Sequence, residues 1–188
     1  LSKPENKRVF NYLLERGLTG DDIHQFEIGY TSKRGDLVLH LSSLGYNDRQ
    51  ILDAGLSAKN ESGEYYERFI NRITIPINDK NGRTIAFGGR DFTNKAPAKY
   101  LNSPETILFQ KKNIVYNYHN ARKLLGNESQ LIVCEGYFDC IALSVNGFHK
   151  TVATMGTSMS QSQIQSLWQL SNLPILCYDG DTAGVNAA

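Results

Sequence analysis

The stretch that most constrains this chain is Leu131-Ile-Val-Cys-Glu-Gly-Tyr-Phe-Asp139, a short apolar run that ends in a carboxylate and a glycine and then turns helical. Four apolar residues bounded in this way predict a buried strand: the run is too short for a helix and has no polar face to give to water. The same order returns at Pro174-Ile-Leu-Cys-Tyr-Asp-Gly-Asp181, with another apolar run at residues 151–154 between them. Helical spacing fills the gaps. Phe138, Ile141, Ala142 and Val145 fall at i, i+3, i+4 and i+7, as do Ile164, Leu167, Trp168 and Ser171, and Ser160 with Gln163 makes a capping pattern. The expected elements are strands at 131–134, 151–154 and 175–178, with helices at 137–146, 160–171 and from about 183. Such alternation predicts a parallel sheet covered by helices on both faces.

Right-handed crossovers put the C-terminal ends of parallel strands on one edge, where sites form. Glu135 and Asp179 each follow a strand directly, and Asp181 lies two residues on, around Gly180. From residue 129 to 188 the only acids are Glu135, Asp139, Asp179 and Asp181, against the single base Lys150, a local charge of −3. Gathered carboxylates are hard ligands of the kind that hold Mg²⁺ beside substrate phosphates. Each also has a plain structural use: Glu135 could cap the helix at Tyr137, and Asp-Gly-Asp could be an ordinary turn. Their joint placement at two strand ends favours the metal. Asp139, one helical turn past Glu135, is either an orienting acid or a first-turn acid favoured by the helix dipole. Gly156-Thr157-Ser158 could offer backbone N–H groups to a phosphate, though a loop leading into a helix cap is the plainer use.

Upstream, four short helices are expected: one carrying Val9 and Leu13 and stopped by Gly17, then 19–26, 37–44 and 47–54, with Asn47 and Gln50 forming a cap. Together they predict a small helical bundle. Near Tyr65 the pattern changes to strands at 72–77 and 83–87, joined at Asn81-Gly82, a strong hairpin signal. Pro76 confines the first of them to an edge or bulge. Gly88-Gly89 allows backbone to pass close to a neighbour. A helix is expected at 113–125, broken at Gly126-Asn127, which sets a domain boundary between 1–126 and 127–188. Between residues 62 and 125 there are eleven bases and five acids, a local charge of +6, although the whole chain carries +1. A polyanion partner would therefore meet the middle of the chain.

Cys134, Cys140 and Cys177 form no C-x-x-C pair and read as buried reduced thiols. No apolar stretch approaches the roughly 20 residues of a membrane span, and the N-terminus is not a signal peptide. The sequence stops as a helix begins, so it is expected to be a fragment of a longer chain.

Glu135-Gly-Tyr-Phe-Asp139, Ala153-Thr-Met-Gly-Thr157 and Asp179-Gly-Asp-Thr-Ala-Gly184 together resemble the Toprim signature as it occurs in bacterial replicative DNA primases of the DnaG type. Arg68-Phe-Ile-Asn-Arg-Ile-Thr-Ile-Pro-Ile77, Gly88-Gly-Arg90 and Lys99-Tyr-Leu-Asn-Ser-Pro-Glu-Thr106 are similar to the primase core and unlike topoisomerases, and Leu14-Glu-Arg-Gly17 matches as well. The resemblance implies an α/β fold: a Toprim parallel sheet with flanking helices at 127–188, C-terminally truncated, preceded by a mixed α+β basic subdomain with a β-hairpin at 1–126. It implies Mg²⁺-dependent RNA primer synthesis on single-stranded DNA from ribonucleoside triphosphates, with Mn²⁺ as the alternative ion, in the bacterial cytoplasm at the nucleoid. Glu135, Asp179 and Asp181 become the catalytic and metal-binding acids, Asp139 an orienting acid. Arg16, Arg90, Lys99, Asn102 and Lys111 match positions that contact template or nucleotide. The segment from Arg90 to Lys99 is one residue longer than the family pattern, and Gln110 replaces a common His. A zinc module before Leu1, a helicase-binding module after Ala188 and a further acidic cluster beyond the end are also implied. The competing readings are a Toprim nuclease, which does not require the basic middle, and a non-catalytic DNA-binding recombination mediator, which has no reason to keep three crowded carboxylates.

Overall fold

The computed structural model describes the chain apart from Ser2, Lys33, Leu125, residues 127–129, Thr157 and Ala188, and gives no side-chain detail for Ala183 and Ala187. It forms two compact units, Leu1–Pro76 with Ile85–Phe109, and Ile77–Thr84 with Gln110–Ala188. This division lies upstream of the break expected at Gly126-Asn127, of which Asn127 is outside the described residues. The hairpin tip counts with the second unit because Lys80 Nζ sits 4.9 Å from the centre of the Tyr118 ring and donates to Gln169.

In the first unit, α1 (Lys7–Glu15) buries Val9 and Leu13 and ends at Gly17, whose φ of +86° a side chain rarely adopts. The short α2 (Gly20–Gln25) starts from a capping box between Thr19 and Asp22. A strand that the sequence pattern did not reveal follows, β1 (Gly29–Thr31). Next come α3 (Asp36–Ser43) and α4 (Asp48–Asp53), the latter capped by Asn47 and Gln50 as expected. Then β2 (Ser57–Lys59) pairs antiparallel with β3 (Tyr65–Glu67). The helical-bundle expectation is thus corrected. These strands are three residues each, too short for an alternating pattern to emerge from the sequence. They also do structural work: buried Glu67 of β3 accepts the N–H groups of Gly35 and Val38, both at 2.8 Å, satisfying the start of α3 where Gly35 offers no side chain.

The main sheet has the order β1-β4-β5-β6, with β4 (Arg72–Asn78), β5 (Thr84–Asp91) and β6 (Tyr100–Asn102). Strand β4 therefore has a neighbour on each side, where Pro76 led to the expectation of an edge or bulge. The register explains the tolerance: β1 covers only Arg72 to Thr74, so Pro76 sits past the end of its neighbour and its missing N–H costs no ladder bond there. Strand β5 runs on through Gly88 and Gly89 to Asp91, because β6 pairs with that stretch. The close neighbour of Gly89 is internal: a Cβ there would lie 2.7 Å from the Phe69 ring and 3.0 Å from the Arg72 side chain. Phe69, Ile73 and Ile75 are fully buried beside it.

In the second unit a 3-10 turn, Lys111–Asn113, leads to α5 (Tyr118–Lys123). The helix expected from 113 starts only at Tyr118. Tyr116 exchanges backbone hydrogen bonds with Ala153, and Asn117, at φ +62°, donates its side chain to the Thr151 carbonyl, so the intervening chain is held extended. The parallel sheet follows as expected: β7 (Ile132–Cys134), α6 (Tyr137–Val145), β8 (Thr151–Ala153), α7 (Gln161–Trp168), β9 (Ile175–Cys177) and α8 (Thr182–Ala187), in strand order β8-β7-β9. Leu131, Val133, Val152, Leu167 and Leu170 share its core. The helix faces are rotated from those expected. Helix α6 buries Tyr137, Cys140, Ile141 and Ser144, whereas α7 buries Gln163, Ser166 and Leu167 and leaves Trp168 62% exposed. Coverage of both faces holds for β7 and β8; all three residues of β9 are exposed, including Cys177, while Cys134 and Cys140 are buried.

Candidate active site

Within the second unit, the three parallel strands bring their C-terminal ends to one edge. Glu135 leaves β7 there, and its carbonyl accepts the Met155 N–H at 2.8 Å, tying the exits of β7 and β8 together. Its Oε1 is shut off from solvent and has no hydrogen-bond partner, an expensive state for a carboxylate oxygen. Gly184 of α8 makes the space for it: a Cβ at that position would lie 2.8 Å from Glu135 Oε1 and 2.1 Å from the Asp179 carbonyl oxygen. No other residue type fits without moving the strand exits.

Asp139 receives the Gly136 N–H at 3.1 Å, so part of its work is to close the first turn of α6. Although its outer side is exposed, burial around the carboxyl pushes Asp139 above the ordinary carboxylate value, and the Asp179 charge adds to that rise. Asp179 and Asp181 are both exposed. Asp181 Oδ1 accepts the Gly184 N–H at 2.8 Å, which turns that carboxylate back onto α8. The structure thus brings Glu135 against the Asp179–Gly184 turn and Asp139 within electrostatic reach of Asp179. Among the described residues it does not gather three His, Cys, Asp or Glu side chains at metal-ligand spacing. On the neighbouring loop, Lys111 Nζ lies 3.6 Å from where a Gly156 Cβ would be; Thr157, the centre of the suggested phosphate loop, is outside the described residues.

The other predicted residues, Arg16, Arg90, Lys99 and Asn102, belong to the first unit, where aromatic rings link them. Arg16 follows Tyr12 by one helical turn, and its Cζ lies 5.6 Å from the centre of that ring. Arg90 reaches the same ring from β5 at 5.4 Å and the Tyr100 ring at 5.9 Å, and Lys99 Nζ is 5.7 Å from Tyr100. Arg90 is buried, while Arg16 and Lys99 are exposed. Asn102 lies on β6, its side-chain oxygen solvent-inaccessible and unpartnered, and its carbonyl accepts from Arg68 at 3.3 Å. The longer connection from Arg90 to Lys99 is closed by Asp91, whose carboxylate accepts from Ala96 N–H at 3.0 Å and from Thr93 N–H and Oγ1. The β5–β6 register, Arg90 opposite Tyr100, then sets Lys99 beside Asp91, which donates its N–H to the Lys99 carbonyl.

Tyr12, Tyr100 and Gly184 escaped the reading of the sequence. Signals for the first two were present, since Tyr12 and Arg16 share a helix face at i, i+4 and Tyr100 adjoins Lys99. Gly184 was visible only as the last residue of the Asp179–Gly184 motif, and nothing local shows its role, which depends on a contact 49 residues away in sequence.

Residues 1–122 match the model of the N-terminal domain of the DNA primase catalytic core, and residues 129–188 match the Toprim domain. The DNA primase of Haemophilus influenzae is 41% identical over 186 residues, 98% of this chain and 31% of that protein. The DNA primase of Pseudomonas putida is 42% identical over 189 residues, 100% of this chain and 28% of that protein. A solved DnaG primase catalytic domain bound to ssDNA superposes with a TM-score of 0.88 at 39% identity, covering 100% of this chain and 58% of that one. The chain therefore spans about a third of the length of the curated relatives it matches.

Proposed function

Because the chain belongs to the DNA primase catalytic-core family, we propose that it carries out template-directed RNA primer synthesis on single-stranded DNA as part of a longer replicative primase. The observation that carries this reading is the orphaned, solvent-excluded Glu135 oxygen at the edge of the parallel sheet, beside the Asp179 turn. A buried carboxylate oxygen without a partner is the position a cation would fill. Glu135, Asp179 and Asp181 are the residues that would hold a divalent ion, Mg²⁺ first and Mn²⁺ as the alternative, with Asp139 orienting the edge. Such an ion, when bound, supplies positive charge for the triphosphate and polarises the attacking hydroxyl.

The chain's own residues supply the remainder. Arg16, Arg90 and Lys99 in one unit and Lys111 in the other neutralise template or nucleotide phosphates, and the Asn102 amide contacts a base or sugar. Closure of the first turn of α6 by Asp139 keeps the Glu135 exit rigid. Residues 127–188 act as the Toprim domain and 1–126 as the basic subdomain. The substrates are ribonucleoside triphosphates and the setting is the bacterial cytoplasm at the nucleoid, with a helicase as partner of the longer protein. Among the described residues no helix is long and apolar enough to cross a membrane.

The test is primer synthesis on single-stranded DNA with ribonucleotides and Mg²⁺, comparing the full-length protein with Glu135→Gln. Loss of at least about 100-fold in rate is expected for removing a catalytic carboxylate charge. Full activity of the variant would falsify the assignment of this edge.

A further inference from the structure

We propose that Tyr12 is a positioning residue for the nucleic-acid face: its ring holds the guanidiniums of Arg16 and Arg90 together so that they engage phosphate as a pair. The inference rests on the reading of that face as nucleic-acid-binding, and it adds a residue whose type alone suggests only packing. Two guanidiniums repel each other, and a long exposed side chain such as Arg16 loses much rotamer freedom when it is fixed on a phosphate. An aromatic face counters both effects, because its negative quadrupole attracts each cation within about 6 Å and restricts where it sits. Arg16 and Arg90 lie at 5.6 and 5.4 Å from the Tyr12 ring centre, inside that range, and Arg90 is only 7% exposed, which strengthens the attraction.

The ring itself is braced. Phe92 meets Tyr12 edge-on with centroids 5.5 Å apart, and Phe92 is in turn fixed by Tyr30 at 5.9 Å and by Arg8, whose Cζ is 5.7 Å from its centre. At the other end Arg90 continues to Tyr100, which carries Lys99. The result is an alternating row of cations and rings within one unit, and Tyr12 is the member that joins a helix cation to a strand cation. Removing its ring takes away the contact that Arg16 and Arg90 share.

The experiment measures binding of a labelled mixed-sequence oligodeoxynucleotide to the full-length protein across a salt series, for Tyr12→Leu, Tyr12→Phe, Arg16→Ala, Arg90→Ala and their combinations. At about 0.1 M salt Tyr12→Leu is expected to bind about tenfold more weakly, with the slope of log K against log salt flatter by about one. Tyr12→Phe, which keeps the ring face, should retain the wild-type slope. The Tyr12→Leu penalty should shrink when both arginines are already Ala. A wild-type slope for Tyr12→Leu, a Phe variant as weak as the Leu variant, or an undiminished penalty in the Arg-free background each overturns the proposal. If Tyr12→Leu melts too low to measure, Tyr12→Met takes its place under the same criteria. Arginine variants that leave the slope unchanged would bring down the nucleic-acid reading and the proposal with it. Arginine variants that flatten it beside an unaffected Tyr12→Leu bring down the proposal alone.

Discussion

Single residues in this chain show how local hydrogen bonding decides charge. Asp91 is covered by the turn that it holds. That cover works to raise its carboxyl, but the N–H of Ala96, the Thr93 hydroxyl and the Thr93 N–H outweigh it, so Asp91 ends below the ordinary 3.8. An acid lowered on folding contributes stability that is complete above its unfolded value and is lost as the pH falls through the folded one. Asp91→Ala is therefore expected to destabilise by about 1–2 kcal/mol at pH 7 through the lost hydrogen bonds, and the gap to wild type should close as the pH drops below about 4. Thermal melts across that range check it; a gap that stays constant with pH would mean the carboxylate charge is irrelevant. Asp139 shows the opposite balance, raised by burial and by Asp179, which is how an acid behaves at a crowded site and not in a scattered charged surface.

At the level of elements, buried polar side chains stitch the parallel unit together where strands of three residues offer few ladder bonds. Gln163 of α7 is the clearest case. Its Nε2 donates to the carbonyls of Ile114 at 2.8 Å and Thr154 at 3.0 Å, while its Oε1 accepts the Ser160 N–H and completes the helix cap. Gln163→Leu keeps the size but leaves those carbonyls unpaired, so it should cost about 2–3 kcal/mol, more than the roughly 1 kcal/mol of losing the Ser160 cap. Chemical denaturation of Gln163→Leu and Ser160→Ala checks the ordering, and equal losses would refute the stitching role. The sequence indicated Gln163 only as the third residue of a cap. Its Nε2 also reaches the carbonyls of Ile114 and Thr154, 49 and 9 residues away, and that of Lys111 at 3.4 Å, contacts that no local pattern can encode.

For the whole molecule, the carboxylates lie with Lys111 in one unit, and Arg16, Arg90 and Lys99 lie in the other. Under the proposed function, catalysis and template binding in the full-length protein should respond to different treatments. Chelation of divalent ions is expected to abolish primer synthesis while single-stranded DNA binding persists, and raised salt should weaken binding with a linear log–log slope. Binding that vanishes with the chelator would show that the acidic edge, and not the basic face, holds the template.

The sequence alone determined the βαβα order of the C-terminal half, the hairpin at Asn81-Gly82 and the convergence of Glu135 and Asp179 on one edge. Those follow from local rules of apolar run length, turn residues and crossover handedness. Tertiary structure alone decided the rest. It placed Pro76 in an interior strand past the end of β1, turned α6 and α7 to bury Tyr137, Cys140 and Gln163, and brought two arginines to the Tyr12 ring. It also made Gly184 the space that admits Glu135 Oε1. Each of these depends on which distant residue occupies the neighbouring volume, and close packing settles that only once the chain has folded.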